Sequence, residues 1–323
     1  VGEGALVVGA WRRPLFSGML EHSTDTDEEV FNIQTRTLFV DVRIPRIPKE
    51  LKLILRDAGS IEALSDEYLR LYARRHAFGG YAVVGRETRP SNTSGRLEQP
   101  VCTRHHVIDW NYLPSRPRDR PNKWWIEFPL PAPGRLRGDV WKEWSYATDD
   151  FSQHYYFERW ERLEDDGKGQ NLVLALRKAK EHSCVDGGRD GIVVVVGNHF
   201  NYIYGRTNKT NPETENLPTT SCLDFIDQAI VTHNRRIAES YLSIDAGHGT
   251  ILSGWKIDFS VQPWKEGTIL FDPQDEVKVM GNNIDSCHVL WNAERWEVLE
   301  CSGVSSISDL YSLLCQGPVD SKL

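Results

Sequence analysis

Between Thr35 and Ile44 the side chains alternate, so that Thr37, Phe39, Asp41 and Arg43 share one side of an extended chain and Leu38, Val40, Val42 and Ile44 the other. An aspartate and an arginine two positions apart on one face can act as a charge-paired anchor, with the Arg43 guanidinium donating to an acidic ligand while Asp41 holds it. A solvated surface pair is the simpler alternative. A second group follows at His105, His106 and Asp109. A regular strand turns His106 and Asp109 to opposite faces, so both line one pocket only where a bulge intervenes. Adjacent His105 and His106 also point opposite ways, which excludes simple co-ligation of one metal ion. Lys256 reads either as a buried donor beside Trp255 or as a solvated strand lysine. His199, behind the valine run 193–196, reads as a core histidine or a site residue, and His248, between two glycines, as a turn residue.

Familiar catalytic signatures are missing. The sequence has no Gly-x-Ser-x-Gly, no glycine-rich phosphate cradle and no Cys-x-x-Cys pair, so neither a metal nor a cofactor is expected. Carboxylate pairs such as Glu158 with Glu161 and Asp149 with Asp150 could serve a glycosidase, but on an acidic chain they read as exposed charge.

The elements that must position these residues are strands. Segments such as 105–112 and 154–160 keep a two-residue period with tryptophan and tyrosine on one side, and the run Gly191 to Gly197 has the length of one buried strand. Residues 30–44 read as two strands or one bent strand. Helical patterns are expected over Ser60 to His76, capped by Ser60, over Ser221 to Arg235, and near Ser306 to Leu314, while Ala238 to Ile244 reads as a strand. Many strands, short turns and few helices imply an all-β, antiparallel fold whose sheet hides its edges by closing into a barrel. No linker composition interrupts residues 1–323, so one barrel domain with a C-terminal helical segment is expected.

Composition narrows the function. The 323 residues carry a formal charge of -8, which argues against nucleic acid, and no apolar run is long enough for a membrane helix. Eleven tryptophans exceed the ordinary needs of a core and eleven tyrosines accompany them, which suggests a cavity for small hydrophobic or aromatic molecules. Six cysteines allow fifteen pairings, and glycosylation sequons at Asn92 and Asn208 lie in polar stretches. With a first residue of Val1 that fits a trimmed start, these features suggest a secreted or vesicular protein, with the cytoplasm still open and a homodimer admitted.

The runs 30–45, 76–80 and 106–109, with the later pieces 197–200, 248–251, 254–257 and 262–267, resemble a group of lipocalin-like (calycin) barrel proteins of bacteria and fungi. The fungal members of that group with a defined activity are the hetero-Diels–Alderases of tropolonic sesquiterpenoid biosynthesis. The resemblance implies a pericyclase: a hydroxymethyl tropolone loses water to give an ortho-quinone methide, which adds across an alkene of a humulene-type terpene. It implies a catalytic group drawn from Arg43, Asp41, His106, Asp109 and Lys256. The cavity would be walled by Gln34, Phe39, Phe78, Trp110, Tyr156, Trp160, His199, Tyr202, Tyr204, Trp255 and Trp264. A carrier of a hydrophobic small molecule, or an isomerase or dehydratase on the same barrel, are the alternatives.

Overall fold

Period-two alternation makes strands, and where both faces find apolar partners the alternation gives way to continuous hydrophobic runs. Both patterns occur here, in different halves of the chain. The computed structural model describes residues 2–17, 27–91, 95–112, 122–130, 138–146, 155–164, 172–178, 189–207, 222–272 and 274–316. Eight antiparallel strands close into a barrel in simple up-and-down order. They are β1 (Gly9–Ser17), β2 (Glu28–Gln34), β3 (Leu38–Pro45), β4 (His76–Ser91), β5 (Gly95–Asp109), β6 (Asn122–Glu127), β7 (Val140–Tyr146) and β8 (Tyr155–Arg162), with β8 returning to pair with β1.

The later strands do not extend that barrel, as a single closed sheet would require. They form a second antiparallel sheet of eight, in the order β13-β12-β11-β10-β9-β16-β15-β14. Its members are β9 (Val173–Lys178), β10 (Gly191–Val196), β11 (His199–Tyr204), β12 (Asp245–Thr250), β13 (Lys256–Ser260), β14 (Val277–Met280), β15 (His288–Trp291) and β16 (Glu294–Ser302). The all-valine centre of β10 is buried on both sides, which explains its unbroken apolar run.

The two sheets share a core. Ile33, Leu38, Val40 and Val42 on the outer wall of the barrel pack with Ala175, Ile192, Val194 and Ile203 of the second sheet. Asn201 on β11 crosses this seam, donating through Nδ2 to the carbonyls of Phe31 (3.0 Å) and Val40 (2.8 Å). On its far side the second sheet curls around another core, with Leu174, Val193 and Phe200 facing Val289, Trp296 and Leu310.

Six short helices complete the described chain: α1 (Glu3–Leu6), α2 (Lys49–Asp57), α3 (Asp66–Ala73), α4 (Cys222–Val231), α5 (Arg235–Tyr241) and α6 (Ile307–Gln316). The helix expected from Ser60 starts later, at Asp66, because Ser65 caps it by accepting from the Tyr68 N–H at 3.3 Å. The stretch read as a strand over 238–244 belongs largely to α5, whose Ile237, Ala238 and Tyr241 recur at helical spacing on one buried side. Among the described residues no helix is long and apolar enough to cross a membrane.

Candidate functional site

The polar side of β3 turns inward. Its apolar side, Leu38, Val40, Val42 and Ile44, is claimed by the seam with the second sheet, so Phe39, Asp41 and Arg43 must enter the barrel. The partners prove the direction: Arg43 on β3 reaches Glu158 on β8, a strand three places away around the wall. Arg43 also donates from Nε to Asp41 Oδ1 at 2.8 Å, and Asn32 Nδ2 donates to the other oxygen of Asp41 at 3.3 Å.

Neighbouring strands extend this into a network. Arg13 bridges Glu158 and Glu28, the latter at 2.8 Å, and Arg104 donates to Glu143 Oε1 at 2.9 Å. All of these side chains are buried. Counting the members gives three guanidinium groups, Arg13, Arg43 and Arg104, against four carboxyls, Glu28, Asp41, Glu143 and Glu158. Among these described members the carboxyls are one in excess, and in a medium that stabilises charge poorly this favours a carboxyl that keeps its proton. Glu143 is that group: burial pushes it up to about 7 against the pull of Arg104, with Glu158 adding to the rise. Burial likewise raises Glu28, against Arg43 and Arg13.

One end of the lumen is filled by rings. Trp141 stacks on Trp160 at 5.7 Å and meets Trp11 edge-on at 5.9 Å, with Cys102 and Ile126 beside them. Among the described residues the lumen is not lined by aromatic rings alone: rings pack on rings at one end and charged side chains cross the middle. Unused hydrogen-bonding capacity remains between these layers. Asn32 Oδ1, Arg104 Nε, Glu143 Oε2, Trp141 Nε1 and Trp160 Nε1 are buried and have no partner. Such atoms are costly unless a polar guest or water meets them.

Further along, the bulge needed to align His106 with Asp109 is present. Gly79 pairs with Ile108 and Gly80 with His106, leaving Val107 as the extra residue. Gly80 permits it, since a Cβ there would lie 2.0 Å from the His105 carbonyl oxygen. Asp109 then accepts from His106 Nδ1 at 2.5 Å, and Asn122 Nδ2 lies 3.1 Å from Nε2. An amide N–H facing Nε2 makes that nitrogen the acceptor and leaves the ring proton on Nδ1. The imidazole stacks on Phe78 at 4.7 Å, and the Arg43 guanidinium lies 4.9 Å from the same phenyl ring.

The lumen thus gathers Gln34, Phe39, Asp41, Arg43, Phe78, His106, Asp109 and Trp160. Gln34 joins as acceptor for Arg104 Nη2 at 3.5 Å. Other expected residues lie elsewhere. Trp110 donates to the Ala73 carbonyl at 3.2 Å in the shared core, and Trp264 stacks on Tyr72 at 5.8 Å. His199 stacks on His248 at 5.4 Å between the sheets, where burial holds His248 well below its ordinary value. His248 is a strand residue of β12 whose Nδ1 donates to Asn201 Oδ1 (2.8 Å), not a turn residue. Trp255 belongs to the second core and donates to the Leu313 carbonyl at 2.8 Å, while Lys256 is exposed at the start of β13. Tyr202 and Tyr204 line a separate cavity on the second sheet. Tyr156 of β8 pairs with Ser145 of β7, its side chain outside the described residues, as are Asn92, Asn208, Asp149 and Asp150.

The residues missed from the sequence are Arg13, Glu28, Arg104, Glu143 and Glu158. Glu158 was read as exposed charge, yet it is fully buried. A signal was available: Arg13, Glu143 and Glu158 each stand two residues from a tryptophan, Trp11, Trp141 and Trp160, and so share its strand face. Among the described residues no group of three or more His, Cys, Asp or Glu could hold a metal ion. Five described cysteines, Cys102, Cys222, Cys287, Cys301 and Cys315, are free thiols.

Fold and site define a closed antiparallel barrel with a charged, tryptophan-capped interior, joined along one wall to a second sheet. No protein-family model and no curated protein sequence matches the chain. A solved structure of an uncharacterized protein of Saccharomyces cerevisiae, YLR301w, is similar with a TM-score of 0.43 and 11% identity, covering 91% of this chain and 98% of that one.

Proposed function

We propose that the barrel lumen is a cofactor-independent reaction chamber for a small polar ring, and that its reaction is the hetero-Diels–Alder addition of a tropolone quinone methide to a humulene-type alkene. The observation that carries this reading is the surplus carboxyl: Glu143 holds a proton near neutral pH, beside N–H donors without partners. Such an acid suits dehydration of a hydroxymethyl tropolone. The acid protonates the departing hydroxyl, the C–O bond breaks to release water, and transfer of the ring hydroxyl proton to the carboxylate so formed completes the ortho-quinone methide and restores the acid. Arg104 Nε and the indole N–H groups can donate to the ring oxygens, lowering the acceptor orbital of the diene. The addition then forms one C–C and one C–O bond with no further proton transfer. In this scheme Arg43, held by Asp41, and His106, held by Asp109, position the ring against Phe78.

The test is incubation of the purified protein with a hydroxymethyl tropolone and humulene. Expected are a rate above buffer and one enantiomer in excess, with Glu143→Gln slower by about 10²- to 10⁴-fold, the usual worth of a general acid. Equal rates and racemic product with and without protein would remove the cycloaddition. A carrier is the second reading, favoured by the pairing of the three described guanidinium groups, Arg13, Arg43 and Arg104, with carboxylates. It predicts that the tropolone binds and is recovered unchanged.

A further inference from the structure

On the face of the second sheet turned away from the barrel, Tyr202 and Tyr204 on β11 help line a cavity of about 350 Å³. Its charges are arranged in pairs except for one. Lys265 Nζ donates to Asp245 Oδ2 at 2.5 Å, and the Tyr202 hydroxyl donates to Oδ1 of the same carboxylate at 3.0 Å. Lys178, itself buried, pairs with Glu294. Arg189 differs, because its Nε and Nη2 donate to the main-chain carbonyls of Gly205 (2.7 Å) and Ser243 (2.8 Å). Carbonyls fix a guanidinium in place without neutralising it. Among the described lining residues three cations against two carboxylates leave one positive charge in a partly enclosed site, where attraction for an anion exceeds that in water.

The rest of the lining selects shape. Arg189 lies 5.8 Å from the ring of Tyr204, which in turn meets Trp291 at 6.1 Å, and Ile257 and Leu270 supply aliphatic wall. Rings on one side and a pre-placed guanidinium at the end suit a flat molecule with a terminal charge. The volume is at the small end of ligand sites, enough for one ring system and too small for a lipid or peptide. Burial lowers Arg189 from its ordinary value, Asp245 and Tyr204 oppose this, and an added anion would oppose it further.

We propose that this cavity is a second binding site, independent of the barrel, for a small aromatic carboxylate whose charge meets Arg189 and whose ring lies against Tyr204 and Trp291. Isothermal titration with 2-hydroxybenzoate tests it, with 2-hydroxybenzyl alcohol as a neutral compound of the same shape. Expected is saturable one-to-one binding, at least tenfold weaker for the alcohol, about the worth of one charge-assisted contact. Arg189→Gln and Trp291→Leu should each weaken the carboxylate about tenfold. Lys265→Ala, at a half-exposed position, should weaken it by removing the second nearby cation and leaving Asp245 without that partner. Binding should be unchanged in Glu143→Gln, whose substitution lies in the barrel. The proposal is overturned by absence of saturation up to about 10 mM, well past a millimolar affinity. Equal affinity for acid and alcohol, or binding lost in Glu143→Gln and kept in Arg189→Gln, would overturn it too.

Discussion

Glu143 sits directly opposite Glu158 on the neighbouring strand, so its proton is a matter of local crowding as much as of burial. Its folded value near 7 lies above the 4.5 of an unhindered glutamate. The folded state therefore holds a proton that the unfolded chain has released, and stability must fall as pH rises between those two values. The slope for one proton is about 1.4 kcal/mol per pH unit. Urea unfolding at pH 5 and pH 7 should show the wild type losing stability over this window and Glu143→Gln losing less, Glu28 keeping its share of the slope; a parallel pair of curves would show that Glu143 is ionised in the fold. Part of this site could be read in the sequence. Asp41 and Arg43 announced themselves because their strand mates on the other face were all apolar, whereas Glu143 and Glu158 looked like ordinary surface charge. Only the closing of the barrel tells the two cases apart, since it makes one face of every strand interior.

At the scale of elements, the bulge at Val107 decides which residues of β5 share a face. The sequence specified the condition, that His106 and Asp109 need an extra residue between them, but not its fulfilment, which depends on Gly80 of the partner strand. Gly80→Ala should cost about 3 kcal/mol, as overpacking against backbone does, because the His105 carbonyl cannot move without breaking the ladder. Chemical denaturation measures the loss; a cost below about 0.5 kcal/mol, typical of a surface substitution, would mean that the bulge tolerates a side chain. Strand periods were otherwise readable along most of the chain. The helix α5 was not, since Ala238, Ser240, Leu242 and Ile244 happen to alternate with polar or aromatic neighbours over the short length that a strand would need.

At the scale of the molecule, the division of sixteen strands between a barrel and a second sheet was not legible. Both halves carry the same strand signals, and the connection between β8 and β9 has no composition that marks a boundary. What joins the halves is an apolar seam with Asn201 pinned across it. Asn201→Leu leaves two buried carbonyls and His248 without this partner, so a loss of about 2 to 4 kcal/mol is expected from the unpaired groups. Equilibrium unfolding with intrinsic tryptophan fluorescence would reveal it, and an unchanged midpoint would show that the packing of Val40 on Ile203 suffices.

The seam has a consequence for anyone who cuts the chain. Ile33, Leu38, Val40 and Val42 coat the outside of the barrel, where residues of the second sheet shelter them. A fragment ending after Arg162 would keep every strand needed to close the cylinder, yet it would wear a greasy flank in place of a wetted one. Expressed alone it should precipitate or pair through that flank, and adding residues 172–316 in trans should bring it back into solution.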